Sequence, residues 1–176
     1  HWKYEYVPGS RQELEQALSQ GRIDFIAPVI KTTERASYLY DYPRHMIGTA
    51  ASGLYVPKNS TNIYFNDYAH MQDMRIGGTK GSYQMIAARN YAQAHGLHFT
   101  EVDFPSYASA FEALDQGQID AVALSSLYKI KGYRLVAITA YAPYYVVASK
   151  KVRQNLLGEL DEAVEKINYT RSGFLS

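Results

Sequence analysis

An internal repeat constrains this chain more than any other feature. Residues 17–24 read Ala-Leu-Ser-Gln-Gly-Arg-Ile-Asp, and residues 113–120 read Ala-Leu-Asp-Gln-Gly-Gln-Ile-Asp, 96 residues later (113 against 17). Each copy reads as a helix end, a Gly stop and a strand opening on Ile-Asp. Ser10 and Ser106 stand at the same offset and read as the N-caps of the two helices. Repetition of one α/β unit in 176 residues predicts two similar lobes, and a cleft between lobes is where a small molecule binds. The second copy is preceded by a strand (Met74 to Gly78), a Gly-rich turn and a helix (Tyr83 to His95), while ahead of the first stand only His1 and Trp2. The expectation is therefore that the chain starts inside a domain.

Composition removes several classes of function. The net charge is +1, so no strong field draws in nucleic acid or an anionic membrane. Within these residues no apolar run approaches the roughly 20 residues of a membrane helix and none reads as a signal peptide; either would lie outside them. There is no cysteine, which excludes disulfides, zinc thiolates and thiol chemistry within these residues and suits an extracytoplasmic bacterial protein. Of the five histidines (His1, His45, His70, His95, His98) only the last two are close, and Gly96 interrupts the helix between them, so no metal-ligand spacing results. Gly77 to Ser82 lacks the Gly-Lys-Ser/Thr order of a phosphate loop. No Ser–His–acid order stands out. Asp24 and Asp120 occupy identical places in the repeat, which assigns them to strand starts rather than to paired-carboxylate catalysis. No catalytic residue, metal or cofactor is expected.

The remaining pattern alternates strand and helix. Lys3 to Val7 reads as a strand, Pro8-Gly9 as a turn and Ser10 to Gln20 as an amphipathic helix. Asp24 to Ile30 reads as a buried parallel strand, Thr32 to Arg35 as a cap and short helix, and Gly48 to Val56 as a strand. A short helix follows near Asp67 to Met71, then strand Met74 to Gly78, helix Tyr83 to His95, strand His98 to Phe104, helix Ser106 to Gln116 and strand Ile119 to Leu124. Tyr133 to Thr139 and Tyr144 to Ser149 read as two strands, and Val152 to Asn168 as a long helix, with the tail from Tyr169 cut in mid-element. The class is α/β. One lobe is inserted in the other: residues 63–138 form lobe 2, residues 1–56 with 144–176 form lobe 1, and hinge crossings fall near 57–62 and 139–143.

The order Gly21-x-Ile23-Asp24, Thr32-x-x-Arg35, Tyr42-Pro43, Gly81-x-x-Gln84 and Gly117-x-Ile119-Asp120 resembles the type 2 periplasmic solute-binding proteins, the amino-acid-binding family 3 group. Trp2 to Ser10, with Tyr64-Phe65-Asn66-Asp67-Tyr68, is similar to the version that forms the extracytoplasmic sensor region of bacterial histidine kinases and diguanylate cyclases. The resemblance implies the two-lobe type II (Venus flytrap) fold, with a first strand and helix ahead of Trp2 and a final helix after Phe174, so that this chain is truncated at both ends.

The same resemblance implies a ligand site. Arg35 is the guanidinium that grips a ligand carboxylate, a two-pronged and permanently charged match. Gly81, Ser82 and Tyr83 supply N–H groups and a hydroxyl at a helix N-terminus. Three positions depart from the family pattern: Ser125 stands where amino-acid binders carry the Asp that holds the ammonium, Arg11 where an aromatic stacks on the ligand, and Ile30 where a polar residue stands. A neutral hydroxyl does not offset a desolvated ammonium. The expected ligand is thus a small carboxylate or other anion, or an amino-acid-like molecule, facing Arg11, Arg35 and Ser125.

Four functions follow in order of expectation. The first is a periplasmic or extracellular sensing domain, membrane-anchored in the whole protein, that signals to an attached receptor module by lobe closure and is compatible with dimer formation. The second is a free solute-binding protein serving an ABC transporter. The third is a degenerate relay domain that binds nothing. The last is an enzyme on the same fold, since fold does not fix function. Nucleic acid is not an expected partner.

Overall fold

The computed structural model describes residues 2–31, 40–151 and 154–173. Five helices and six strands follow one another along these residues: α1 (Arg11–Ser19), β1 (Phe25–Ile30), β2 (Gly48–Pro57), α2 (Tyr68–Met71), β3 (Arg75–Thr79), α3 (Tyr83–Ala94), β4 (Thr100–Phe104), α4 (Tyr107–Asp115), β5 (Ala121–Ser125), β6 (Tyr133–Ala148) and α5 (Gln154–Gly173). The chain divides into two compact units, one of residues 50–142 and one of residues 1–49 with 143–176. The expected Thr32–Arg35 turn lies outside the described residues.

The repeat is a repeat of structure at hydrogen-bond detail. Ser10 and Ser106 cap α1 and α4, each accepting the N–H three residues on and receiving a side chain back. At the other end Gly21 and Gly117 take left-handed backbone angles, φ 74° and 69°. The Gly21 N–H donates to the Leu18 carbonyl at 3.0 Å and the Arg22 N–H to the Ala17 carbonyl at 2.9 Å. Gly117 to Leu114 and Gln118 to Ala113 repeat these bonds at 3.0 and 2.9 Å. This is the Schellman closure, and only glycine adopts its C′ conformation without Cβ strain.

Residues 50–142 build a mixed sheet in the order β6–β2–β5–β3–β4. β3 runs parallel to β4, from Arg75↔Thr100 to Thr79↔Phe104, and parallel to β5 at Ile76↔Ala121 and Gly77↔Val122. β2 is antiparallel to β5, from Ser52↔Ser125 to Tyr55↔Val122. All five residues of β5 are buried because the strand is covered on both faces. Ala121 and Ala123 join the core that holds Met85, Ala88, Tyr91 and Ala92 of α3. Val122 and Leu124 join the core that holds Ala110, Ala113 and Leu114 of α4. Successive side chains of a strand point to opposite faces, so α3 and α4 cover opposite faces of the sheet. Gly77 leaves room for the second of these contacts: a Cβ there would stand 2.3 Å from Ile119 Cδ1, and the Ile119 side chain would have to shift.

In the other unit β1 pairs antiparallel with the end of β6, Phe25↔Ala148 and Ile26↔Val147, then Val29↔Tyr145 and Ile30↔Tyr144 after a register shift at Ala27-Pro28. Leu18, Ile26, Val29, Tyr40 and Val147 form its core. α5 is fastened there by side chains. Asp161, only 5% exposed, accepts Arg44 Nε and the His45 main-chain N–H at 2.9 Å each and faces His45 Nδ1 at 3.0 Å. Trp2 Nε1 donates to Glu159 at 3.0 Å, and Asn168 donates to the Met46 carbonyl at 3.2 Å.

Three sequence expectations are corrected. Residues 3–7 form no strand: Tyr4 and Tyr6 are exposed and no described strand pairs with them, because alternation supplies a strand's face but not its partner. β1 is antiparallel, with Ala27 and Pro28 exposed, rather than a buried parallel strand. Residues 133–148 form one strand instead of two, with Pro143 placed just ahead of Tyr144, where pairing with β1 begins.

Candidate functional site

The parallel strands β3, β4 and β5 end at Thr79, Phe104 and Ser125, so the loops that follow them share one edge of the sheet in residues 50–142. In sheets of this kind, ligands bind outside the carboxyl ends of the strands.

The loop after β3 turns through Gly81. Its φ is 66°, and a Cβ there would meet nothing within 4 Å, so the backbone faces open space. The Ser82 N–H closes the turn on the Thr79 carbonyl at 3.0 Å. Ser82 then caps α3: its Oγ accepts the Met85 N–H at 3.3 Å, and its carbonyl accepts the Ile86 N–H at 3.2 Å. The N–H groups of Tyr83 and Gln84 find no acceptor among the described residues, as the geometry of a helix start requires. α3 has no acidic side chain in its first turn, whereas α1 has Glu13 there. The partial positive charge at this helix start is therefore left without a local carboxylate.

The loop after β4 brings in a group that sequence reasoning left out. Tyr107, the first residue of α4, donates its hydroxyl to Gln84 Oε1 at 3.3 Å and sets its ring 5.1 Å from that of Tyr128. Gln84 is 8% exposed, so this bond ties the start of α4 to the start of α3. An aromatic directly behind a capping serine at the end of a parallel strand was the available signal, obscured by the 17 tyrosines of the chain.

After β5, Ser125 is 2% exposed and its Oγ accepts the Leu127 N–H at 3.3 Å. Its carbonyl accepts the Tyr128 N–H at 3.1 Å. Ser126 exchanges main-chain and side-chain bonds with Ala51, at 2.8 and 3.1 Å. Residues 79–84, 104–107 and 125–128 contain no carboxylate and no imidazole.

The expected residues are thus distributed as follows. Gly81, Ser82, Tyr83 and Ser125 stand on the shared edge. Arg11 and Ile30 belong to the other unit. Arg11 is bound to Glu15 at 2.7 Å and to the Pro28 carbonyl at 3.2 Å, and Glu15 accepts the Tyr40 hydroxyl as well. Ile30 is buried at the end of β1, opposite Tyr144. Arg35 lies outside the described residues. Asp120 holds the structural post expected of it: Arg75 donates Nη2 to Oδ1 at 2.8 Å, and its Nε and main-chain N–H to Oδ2 at 3.0 and 2.7 Å. Those bonds hold the Asp120 carboxyl below its ordinary pKa against the opposing effect of burial.

No protein-family model matches the chain, and no curated protein sequence matches it. Solved structures do. An ancestral arginine-binding protein bound to arginine superposes with a TM-score of 0.69 at 23% identity, over 94% of this chain and 74% of that one. The probable amino-acid ABC transporter extracellular-binding protein ytmK from Bacillus subtilis gives 0.74 at 16% identity, over 97% and 76%. An ancestral amino-acid-binding protein, precursor of cyclohexadienyl dehydratase, gives 0.71 at 22% identity, over 94% and 71%. The fold of this α/β chain is that of the two-lobe periplasmic binding proteins.

Proposed function

We propose that the chain is a ligand-binding domain that works outside the cytoplasm and takes a small carboxylate or related anion. The observation that carries this reading is the loop Gly81–Ser82–Tyr83. It offers an open glycine turn leading into a helix start whose Tyr83 and Gln84 N–H groups find no acceptor among the described residues and whose first turn holds no acid. Such a start favours an anion without further help. Arg35 is proposed as the second grip on the carboxylate, with Arg11 as a further cationic group; Ile30, buried at the end of β1, offers no exposed face to it. The similarity to amino-acid-binding proteins supports a small ligand in a cleft. Ser125, neutral and committed to the turn after β5, argues against a bound ammonium and so against an ordinary α-amino acid.

Two roles fit this site. In a membrane receptor, ligand binding favours the closed state by no more than its difference in affinity for the open and closed forms. α5, fastened through Glu159, Asp161 and Asn168, would carry the change. In a transport system the same domain would deliver its ligand, a reading favoured by the likeness to a probable amino-acid ABC transporter protein. An enzyme would need a general acid or base in the site; these loops carry neither carboxylate nor imidazole, which leaves only Lys80 and the tyrosines for that role.

Calorimetric titration with small mono- and dicarboxylates tests the proposal. Saturable binding that falls about tenfold or more in Arg35→Ala is expected. Binding that is unchanged in Arg35→Ala overturns the assigned grip. Membrane fractionation of the whole protein separates the two roles: a receptor stays with the membrane after a salt wash, and a free binding protein does not.

A further inference from the structure

The pairing of β2 with β5 sets two serines side by side within residues 50–142: Ser52 stands opposite Ser125. Residues directly opposite in an antiparallel pair put their side chains on one face, with Cβ atoms about 5 Å apart. The neighbours show which face this is. Leu54 of β2 and Ala123 of β5, also opposite each other, both join the core that α3 covers. Side chains two residues apart on a strand share a face, so Ser52 and Ser125 continue that face toward the edge of the sheet. The start of α3 lies beside them. A Cβ on Gly78 would stand 2.6 Å from Met85 Sδ and 3.7 Å from the Ala123 carbonyl oxygen, which sets the first turn of α3 against the ends of β3 and β5. Ser125, two residues beyond Ala123, is therefore on the side of the Tyr83 and Gln84 N–H groups.

The two hydroxyls are served differently. Ser125 Oγ accepts the Leu127 N–H at 3.3 Å, which leaves its own proton to donate. Ser52 is 1% exposed, and its Oγ meets no hydrogen-bond partner among the described residues. A buried hydroxyl without a partner costs stability, and native chains keep few of them. The chain leaves the core directly after Ser125, since residues 126–128 are exposed, so the pair stands at the rim of the sheet.

We infer that Ser52 and Ser125 receive a hydroxyl of the ligand, and that the ligand is a short hydroxy acid. This rests on the reading of the Gly81–Tyr83 helix start as the carboxylate grip and names the second group recognised there. An alcohol donates one hydrogen bond and accepts others, as a serine does, so it can serve Ser52 Oγ and take the Ser125 proton together. Two neutral hydroxyls do not offset an ammonium, and a bare hydrocarbon leaves Ser52 Oγ unserved. The ligand reaches the pair by shifting the exposed turn 126–128, not by opening the core.

Calorimetric titration of the chain tests this, with lactate against propionate and 3-hydroxybutyrate against butyrate. The hydroxy acid of at least one pair is expected to bind about tenfold tighter than its parent acid, and Ser52→Ala is expected to lose that preference. A thermal melt of unliganded Ser52→Ala is the companion measurement. Removing a buried hydroxyl that has no partner is expected to leave the melting temperature unchanged or higher. The inference is overturned by a smaller ratio in both pairs, by a preference that survives in Ser52→Ala, or by a clear fall in that melting temperature, which would show the hydroxyl already partnered. Parent acids that bind as tightly as hydroxy acids overturn this inference alone. Binding by none of the four acids overturns the carboxylate reading and this inference with it.

Discussion

At the scale of single residues, the deciding groups are those that are buried and bonded. Ser125 is buried with its oxygen on a turn N–H, so a carboxylate in its place has no room to hydrate. Ser125→Asp is expected to lower the melting temperature of the unliganded chain, and an α-amino acid is expected to restore it by supplying an ammonium; thermal melts with and without alanine check both. Asp161 is the buried anchor of α5. Burial raises its pKa, and Arg44 with the His45 N–H and ring outweigh this and hold it below the ordinary carboxylate value. Asp161→Ala removes three contacts at once, with an expected cost of about 2–3 kcal/mol in denaturant unfolding. The sign of the pH effect follows from the same shifts. Asp161, Asp120 and Glu101, the last accepting Arg89 Nε at 2.6 Å, all sit below their ordinary values in the folded chain. The unfolded chain therefore binds more protons than the folded one in the acid range. The stability these groups contribute is present above about pH 4, near the unfolded carboxylate values, and is lost as pH falls through the folded ones. A melting profile that is flat near neutrality and falls below about pH 4 is expected, with a shallower fall in Asp161→Asn.

At the scale of elements, the Ser-cap and Gly-stop signals could be read because they are local. A capping serine and a C′ glycine act within one turn of backbone, so eight repeated residues announced two helix ends that match in every cap bond. The run Ile119 to Leu124 could be read as a strand, but not as one covered on both faces, which is what the structure shows of β5. Pairing could not be read in the same way. The direction of β1, the absence of a partner for residues 3–7 among the described strands and the continuity of β6 through Pro143 all depend on which distant strand comes alongside, and no local spacing encodes that. The site was legible in the same proportion. Gly81 and Ser82 carry their roles in their own backbone, whereas the Tyr107–Gln84 bond joins two helix starts and the Ser52–Ser125 pair joins two strands. Removing a cap is the corresponding test. Ser82→Ala leaves the Met85 N–H without its acceptor, and a loss of about 1 kcal/mol is expected in chemical unfolding.

At the scale of the whole molecule, each unit has a hydrophobic core of its own, and the two faces of the central sheet in residues 50–142 are filled from within that segment. A fragment of residues 50–142 is therefore expected to melt cooperatively by circular dichroism; a broad, featureless melt would show that it needs the rest of the chain. The account as a whole turns on the sign of charge that the Gly81–Tyr83 edge accepts. A thermal-shift comparison of small carboxylates, neutral α-amino acids, polyamines and sugars tests this most directly. A ligand that binds only the folded chain stabilises it by about 2.7 kcal/mol at 100-fold over its dissociation constant. The account predicts that a carboxylate without an ammonium gives the largest shift and that Arg35→Ala removes it. Tight binding of an α-amino acid with a neutral side chain, retained in Arg35→Ala, would contradict it.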